Sequence, residues 1–222
     1  MKKFIQYIKK RKIESWLKEM NIIDYVIHDD LTVEVTGNID LSYKNLKEIP
    51  IQFGIIYGHF VCNHNELKSL KGCPKEIHGS FDCSHNQLIN LKDGIKKIKG
   101  DFNCSHNQLI SLEGCPEEIE HSFFCNNNHI NNLNYLPKKI KKTFDFSKNK
   151  LNSIEELLKN ENINLELLIY FNNPLPEDLI DLIKENKEKR RQVIQIYYLE
   201  KTMNNEIKET ENNLTLRKKI KI

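Results

Sequence analysis

Cys62, Cys83, Cys104 and Cys125 are each 21 residues apart, and Phe146 stands at the next step. A spacing that regular commits the chain to a repeat array, in which each copy buries its apolar side only against its neighbours. Aligned on that period, 56–76, 77–97, 98–118 and 119–139 share the pattern I-x-x-x-F-x-C-x-x-N-x-[LI]-x-x-L. A degenerate copy over 35–55 carries Ile39, Leu41, Leu46 and Ile49 in the apolar places. From residue 140 the pattern continues with Phe144, Phe146, Asn149, Leu151 and Ile154. A last copy arrives 24 residues later, with Leu165, Leu168, Tyr170, Asn173 and Leu175.

The physics of one copy explains why several are needed. Phe and Cys two apart on a strand point the same way, and with the following Leu pair and the Ile they make five inward side chains per copy. Five side chains cannot offset the entropy of ordering 21 residues, whereas stacked copies share a core and pair their strands in parallel. The Asn column (Asn65, Asn86, Asn107, Asn128, Asn149 and Asn173) falls where the chain leaves each strand. An inward amide there supplies both a donor and an acceptor to backbone groups without ladder partners. The connecting segments, Gly72-Cys73-Pro74 and Gly114-Cys115-Pro116 among them, are too short and too rich in Gly and Pro for a helix.

This is the L-x-x-L-x-L-x-x-N/C-x-L frame, and the chain resembles a leucine-rich repeat protein of the short-period bacterial kind over about 150 residues and about seven copies. The resemblance implies an α/β-type solenoid with a short parallel β-sheet on the concave face, an extended or turn-like convex side, and helical caps at both ends. Residues 1–34 are expected as an N-terminal helical cap, with Ile13, Trp16, Leu17 and Met20 at helical spacing. The repeats occupy 35–175, and 176–222 form a C-terminal helical cap with a basic tail.

Six cysteines raise two chemical readings. In-register parallel strands bring column cysteines within disulfide distance, but their Cβ vectors run parallel instead of converging, so buried reduced thiols are expected. Cys62-x-His64, Cys83-x-His85 and Cys104-x-His106 hint at zinc, yet a ladder spreads equivalent ligands along an axis and a zinc site needs them at one point. No metal and no cofactor are expected. The His column reads as an exposed rim, and no nucleophile and base stand together outside the repeat pattern, so the chain is expected not to be an enzyme.

Composition narrows the partners. Thirty-four Lys and Arg against 31 Asp and Glu leave a charge of only +3, which argues against an obligate nucleic-acid binder. The 27 Asn and the absence of Ala count against a helical bundle, and they fit both an AT-biased codon usage and an array with Asn at its turns. No apolar run reaches the length of a membrane span, and residues 1–8 lack a secretory pattern, so a cytoplasmic protein with no membrane contact is expected.

The outward residues of the strands are the expected binding surface: His59, Ser80, Asp101, Ser122 and Thr143 in one column, and Val61, Asp82, Asn103, Phe124 and Asp145 in the other, extended by Ile169 and Phe171. Phe124 among three carboxylates has the character of an aromatic anchor for a protein partner. Farther along, Val193, Ile196, Leu199, Met203 and Ile207 form an apolar helical stripe, expected to pair two copies as a homodimer. Residues 186–222 hold ten basic and five acidic residues, which leaves nucleic-acid binding by the tail as an alternative. The run Tyr25-x-Ile27-x-Asp29-Asp30-x-Thr32-Val33-x-Val35-x-Gly37, followed by Leu46-x-x-Ile49-Pro50-x-x-Phe53-Gly54 and the Cys-Asn repeats, is similar to small leucine-rich repeat proteins of phages and prophages. That similarity implies an anti-CRISPR-like inhibitor that docks on a bacterial nuclease effector, an RNA-targeting type VI enzyme being one candidate. A bacterial leucine-rich repeat effector or scaffold that binds a host protein is the alternative.

Overall fold

The computed structural model describes residues 1–220, with side chains described for residue 1 and for 3–212. It is a β-solenoid of about seven coils carrying helices before the first coil and after the last. The coils pair their short strands in two seven-stranded sheets; the first sheet includes an antiparallel strand ahead of the first coil, and the last coil meets it through the isolated Ile140–Ile163 bridge. The first sheet runs through Tyr25–Ile27, Thr32–Val35, Gln52–Ile56, Glu76–Ile77, Lys97–Ile98, Glu118–Ile119 and Lys139–Ile140. The second comprises Ile39–Asp40, Phe60–Val61, Phe81–Asp82, Phe102–Asn103, Phe123–Phe124, Phe144–Asp145 and Leu168–Ile169. The repeat period predicts the second sheet. The first is a difference from the single sheet expected: the Ile of each copy lies four residues before the Phe, far enough for the chain to turn a corner and pair separately.

Register is strict in both sheets. Phe60, Phe81, Phe102, Phe123 and Phe144 pair in order, and so do Ile77, Ile98, Ile119 and Ile140. From Phe81 to Phe144 the rings lie parallel, with centroids 5.5, 5.3 and 5.3 Å apart. Between the sheets lie Phe and Cys from one, Ile from the other and the Leu pair from the returning turn, all at most 1% exposed in the central coils. A parallel sheet has identical rows of side chains, so one residue type per column packs without voids.

The Asn column performs the role its position implies. Asn107 Oδ1 accepts the Leu88 N–H at 2.9 Å, and its Nδ2 donates to the carbonyls of Cys83 and Cys104, both at 3.1 Å. Asn86, Asn128 and Asn149 repeat the arrangement one coil at a time. The residue before each Asn takes a left-handed backbone, with φ from 52° to 57° at His64, His85, His106, Asn127, Lys148 and Asn172, and so does Tyr43 (φ 54°) in the first coil, where Lys44 stands in the Asn place. That reversal aims the amide inward. A second left-handed position falls in the connecting segment, at Gly72 (φ 86°), Asp93 (φ 61°), Gly114 (φ 89°) and Tyr135 (φ 64°), the two glycines being the more extreme. A Cβ on Gly72 would sit 2.5 Å from the Ile49 carbonyl oxygen, and one on Gly114 2.4 Å from Leu91 backbone carbon, so only glycine fits there.

Each end of the core is covered. Helix α1 (Lys2–Glu19) buries Ile13 and Leu17 and leans Trp16 toward Phe53, with ring centroids 6.3 Å apart. The antiparallel pair Tyr25–Ile27 and Thr32–Val35 closes the adjoining edge of the first sheet. At the other end, α2 (Glu177–Glu185) buries Leu179 and Ile183, and α3 (Arg190–Ile220) buries Ile194 and Tyr197. Two arginines satisfy backbone carbonyls of the last coil. Arg190 donates to Ile183, Leu165, Glu166 and Leu168, and Arg191 to Leu157, Asn160 and Ile163. The basic run that the sequence offers to nucleic acid thus has two of its charges turned inward. Of residues 217–221, also basic, no side chain is described. No helix among the described residues is long and apolar enough to cross a membrane.

Asn107→Ala removes the acceptor of the buried Leu88 N–H and the donor to two carbonyls. The expected cost is about 3 kcal/mol, read as a drop in the urea midpoint. Burial also predicts slow thiol chemistry. Cys62, Cys83, Cys104 and Cys125 are fully buried, and burial pushes up the thiols of Cys83, Cys104 and Cys125. A colorimetric thiol titration should find these unreactive in the native protein, and all six reactive in strong denaturant.

Candidate protein-binding face

The candidate face is the outer side of the second sheet. Strand alternation places one residue of each coil outward between the buried Phe and Cys, giving the row Asp40, Val61, Asp82, Asn103, Phe124, Asp145 and Ile169. Val61, Asp82, Asn103, Phe124, Asp145 and Ile169 are half-buried in it, and Phe171, just beyond, is 54% exposed.

Most polar members of this row already serve the fold. Asp145 Oδ1 accepts from the Ser147 N–H and hydroxyl at 2.9 and 2.7 Å, and Asn103 Oδ1 accepts the same pair from Ser105 at 3.1 and 2.7 Å. Asp40 does so with Ser42, whose hydroxyl and N–H hold the carboxyl below its ordinary pKa. Asp82 takes the Ser84 N–H at 2.9 Å and the Asn63 amide at 2.9 Å. These are Asx turns that lead each strand into the left-handed residue. The Asp/Asn-x-Ser spacing at Asp40, Asp82, Asn103 and Asp145 is the sequence signal that reveals them.

The second expected column forms a ladder of its own at the corner before each strand. Asn38 Oδ1 accepts the His59 N–H at 2.8 Å, and His59 Nδ1 accepts the Ser80 N–H at 2.9 Å. Ser80 Oγ accepts the Asp101 N–H at 3.0 Å, and Asp101 Oδ1 accepts the Ser122 N–H at 2.8 Å. Each side chain thus caps the backbone one coil ahead. Ser122 is buried and Thr143 half-buried at the end of this series. What the two columns leave free for a partner is chiefly apolar: Val61, Phe124, Ile169 and Phe171.

Along the rim of this face stands a feature that motif reading missed. Tyr43, His64, His85 and His106 stack ring on ring, with centroids 4.3, 4.1 and 4.1 Å apart and planes within 12° of parallel. The shared left-handed backbone forces them into one column, and His tolerates that backbone better than most residues. Parallel rings cannot direct their in-plane nitrogens at one ion, so the Cys-x-His spacing does not build a zinc centre here. The outer side of the first sheet is different again. Glu76, Lys97, Glu118 and Lys139 alternate in sign across paired strands, with Lys138 on Glu117 and Lys139 and Lys141 on Glu120.

The stripe of α3 divides. Val193 is half-buried, whereas Ile196, Leu199, Met203 and Ile207 are exposed. No protein-family model, curated protein or solved structure matches the chain.

The imidazole stack carries a pH dependence. Partial burial, and then the charges of His106 and His64, hold His85 below its ordinary value of 6.5, with Asp82 opposing. The unfolded chain therefore takes up this proton at higher pH than the folded one, and stability falls as pH drops through and below about 6.5. His85→Asn, which copies the left-handed Asn127, should flatten the loss between about pH 6.5 and 5, above the range in which carboxylates titrate. Urea midpoints across that range test it, and equal slopes for the two proteins would exclude the stack as the cause.

Proposed function

We propose that the chain is a non-enzymatic leucine-rich repeat module that binds a protein on the outer face of its second sheet. The observation that carries this reading is the state of the outward row. Its carboxylates and amides are tied into turns, while Phe124 stays half-exposed among them with no bonding task. Such a face is preorganised, so binding orders few side chains, and an aromatic ring on a rigid support is the usual character of an energetic anchor. Ile169 and Phe171 extend the apolar part toward the last coil, and Asp101 and Asp145 supply its charged surroundings.

The similarity to phage-encoded leucine-rich repeat proteins supports a narrower form of the proposal. The partner is then a bacterial defence nuclease, an RNA-targeting type VI effector being the first to try, and the module inhibits it by occlusion. Purified protein added to such a nuclease should abolish cleavage at stoichiometric ratio. Phe124→Ala should weaken the complex by about tenfold or more, and Asp101→Lys should slow association, both measured by surface plasmon resonance. Unchanged binding by both variants would place the contact on another face.

A further inference from the structure

Two apolar surfaces belong to neither sheet, and they lie at opposite ends of the solenoid. Only the later half of α1 packs on the first coil. In its earlier half Phe4, Ile5, Tyr7 and Ile8 are 66, 47, 61 and 40% exposed. At helical phase Phe4 and Ile8 lie on the side facing away from buried Ile13 and Leu17, with Ile5 on one flank of it and Tyr7 on the other. Lys3, Lys9, Lys10, Arg11 and Lys12 surround them, and the first acidic residue of the sequence is Glu14, which pairs with Arg11 at 3.1 Å.

The exposed stripe of helix α3 has flanks of the opposite charge. Ile194 and Tyr197 anchor one side to the last coil, and the other side presents Ile196, Leu199, Met203 and Ile207 at 55, 55, 60 and 54% exposure. Glu200 and Glu206 flank this stripe at helical phase, one on each side. Lys201 is turned to the anchored side, 4.7 Å above the Tyr197 ring. A two-fold pairing through α3, the arrangement expected from the stripe alone, would bring four glutamates to one seam, and like charges there oppose association. The exposed half of α1 offers apolar residues of similar extent inside a basic frame.

We propose that the protein associates head to tail, the exposed stripe of α3 in one copy seating on the basic apolar face of α1 in a second copy. This contact is heterologous, so it propagates into a ring or an open chain instead of closing at two. The eight exposed residues supply on the order of 900 Å², at the small end of specific interfaces, so the association is weak and depends on concentration. The inference is independent of the partner proposed for the sheet face.

Sedimentation velocity tests it, from ~1 to ~300 µM protein and at ~50 and ~500 mM salt. The expected result is a mass that rises past the dimer with concentration at low salt and falls back at high salt. A Phe4→Glu/Ile8→Glu variant and a Leu199→Lys/Met203→Lys variant should each remain monomeric alone. Mixed together, they should form a 1:1 dimer and nothing larger, because one complementary pair of faces survives. Far-UV circular dichroism melts establish that both are folded, and the milder Glu200→Lys/Glu206→Lys variant should also lose assembly at low salt. An α1 variant that still dimerises alone would overturn the proposal in favour of two-fold pairing through α3. Wild-type protein that is monomeric throughout would also overturn it, and its binding to phosphatidylserine vesicles would then assign the α1 face to an anionic membrane.

Discussion

Each amide of the Asn column holds two coils at once, and the rest of the solenoid depends on that grip. Asn107 closes its own coil through the Cys104 carbonyl and reaches the preceding coil through Leu88 and Cys83. Strands of two residues supply too few ladder bonds to fix register unaided. A buried amide that bonds only when both coils are in place makes register all-or-none. The Phe stack and the Leu pairs then fill a space whose dimensions are already set.

The columns of the core are legible in the sequence because one residue type recurs at one spacing, and Phe, Cys, Leu, Ile and Asn all lie where that spacing puts them. The first sheet, which each coil enters through its Ile, is harder to read. A single Ile carries its inward signal, and the pairing that makes it a strand comes from backbone groups, which have no sequence signature. The outward columns are harder still. Asp82, Asn103 and Asp145 read as ligands for a partner because exposed carboxylates commonly are, yet the serine two residues later shows that they shape the turn. Polar residues on a solenoid have two employers, and periodicity alone does not separate them.

The ends follow different physics from the middle. An interior coil finds donors and acceptors in its neighbours, whereas the last coil has carbonyls with no coil beyond them. Arg190 and Arg191 meet that need, and their charge costs little because the guanidinium groups spread over four and three carbonyls. A reading based on charge alone assigns those same residues to a nucleic-acid surface. At the opposite end, an antiparallel strand pairs with the edge of the first sheet and a helix covers the core.

A ladder in which every rung bonds only to the rungs beside it has no preferred length. Nothing in the central coils refers to how many others exist: 77–97 and 98–118 have the same bonds, the same stacked ring and the same left-handed turn. Duplicating or deleting one 21-residue unit would therefore leave both end structures intact and move them apart or together by ~4.8 Å. The size of the molecule is in this sense a variable that recombination can change in whole steps, while the chemistry of each step stays the same.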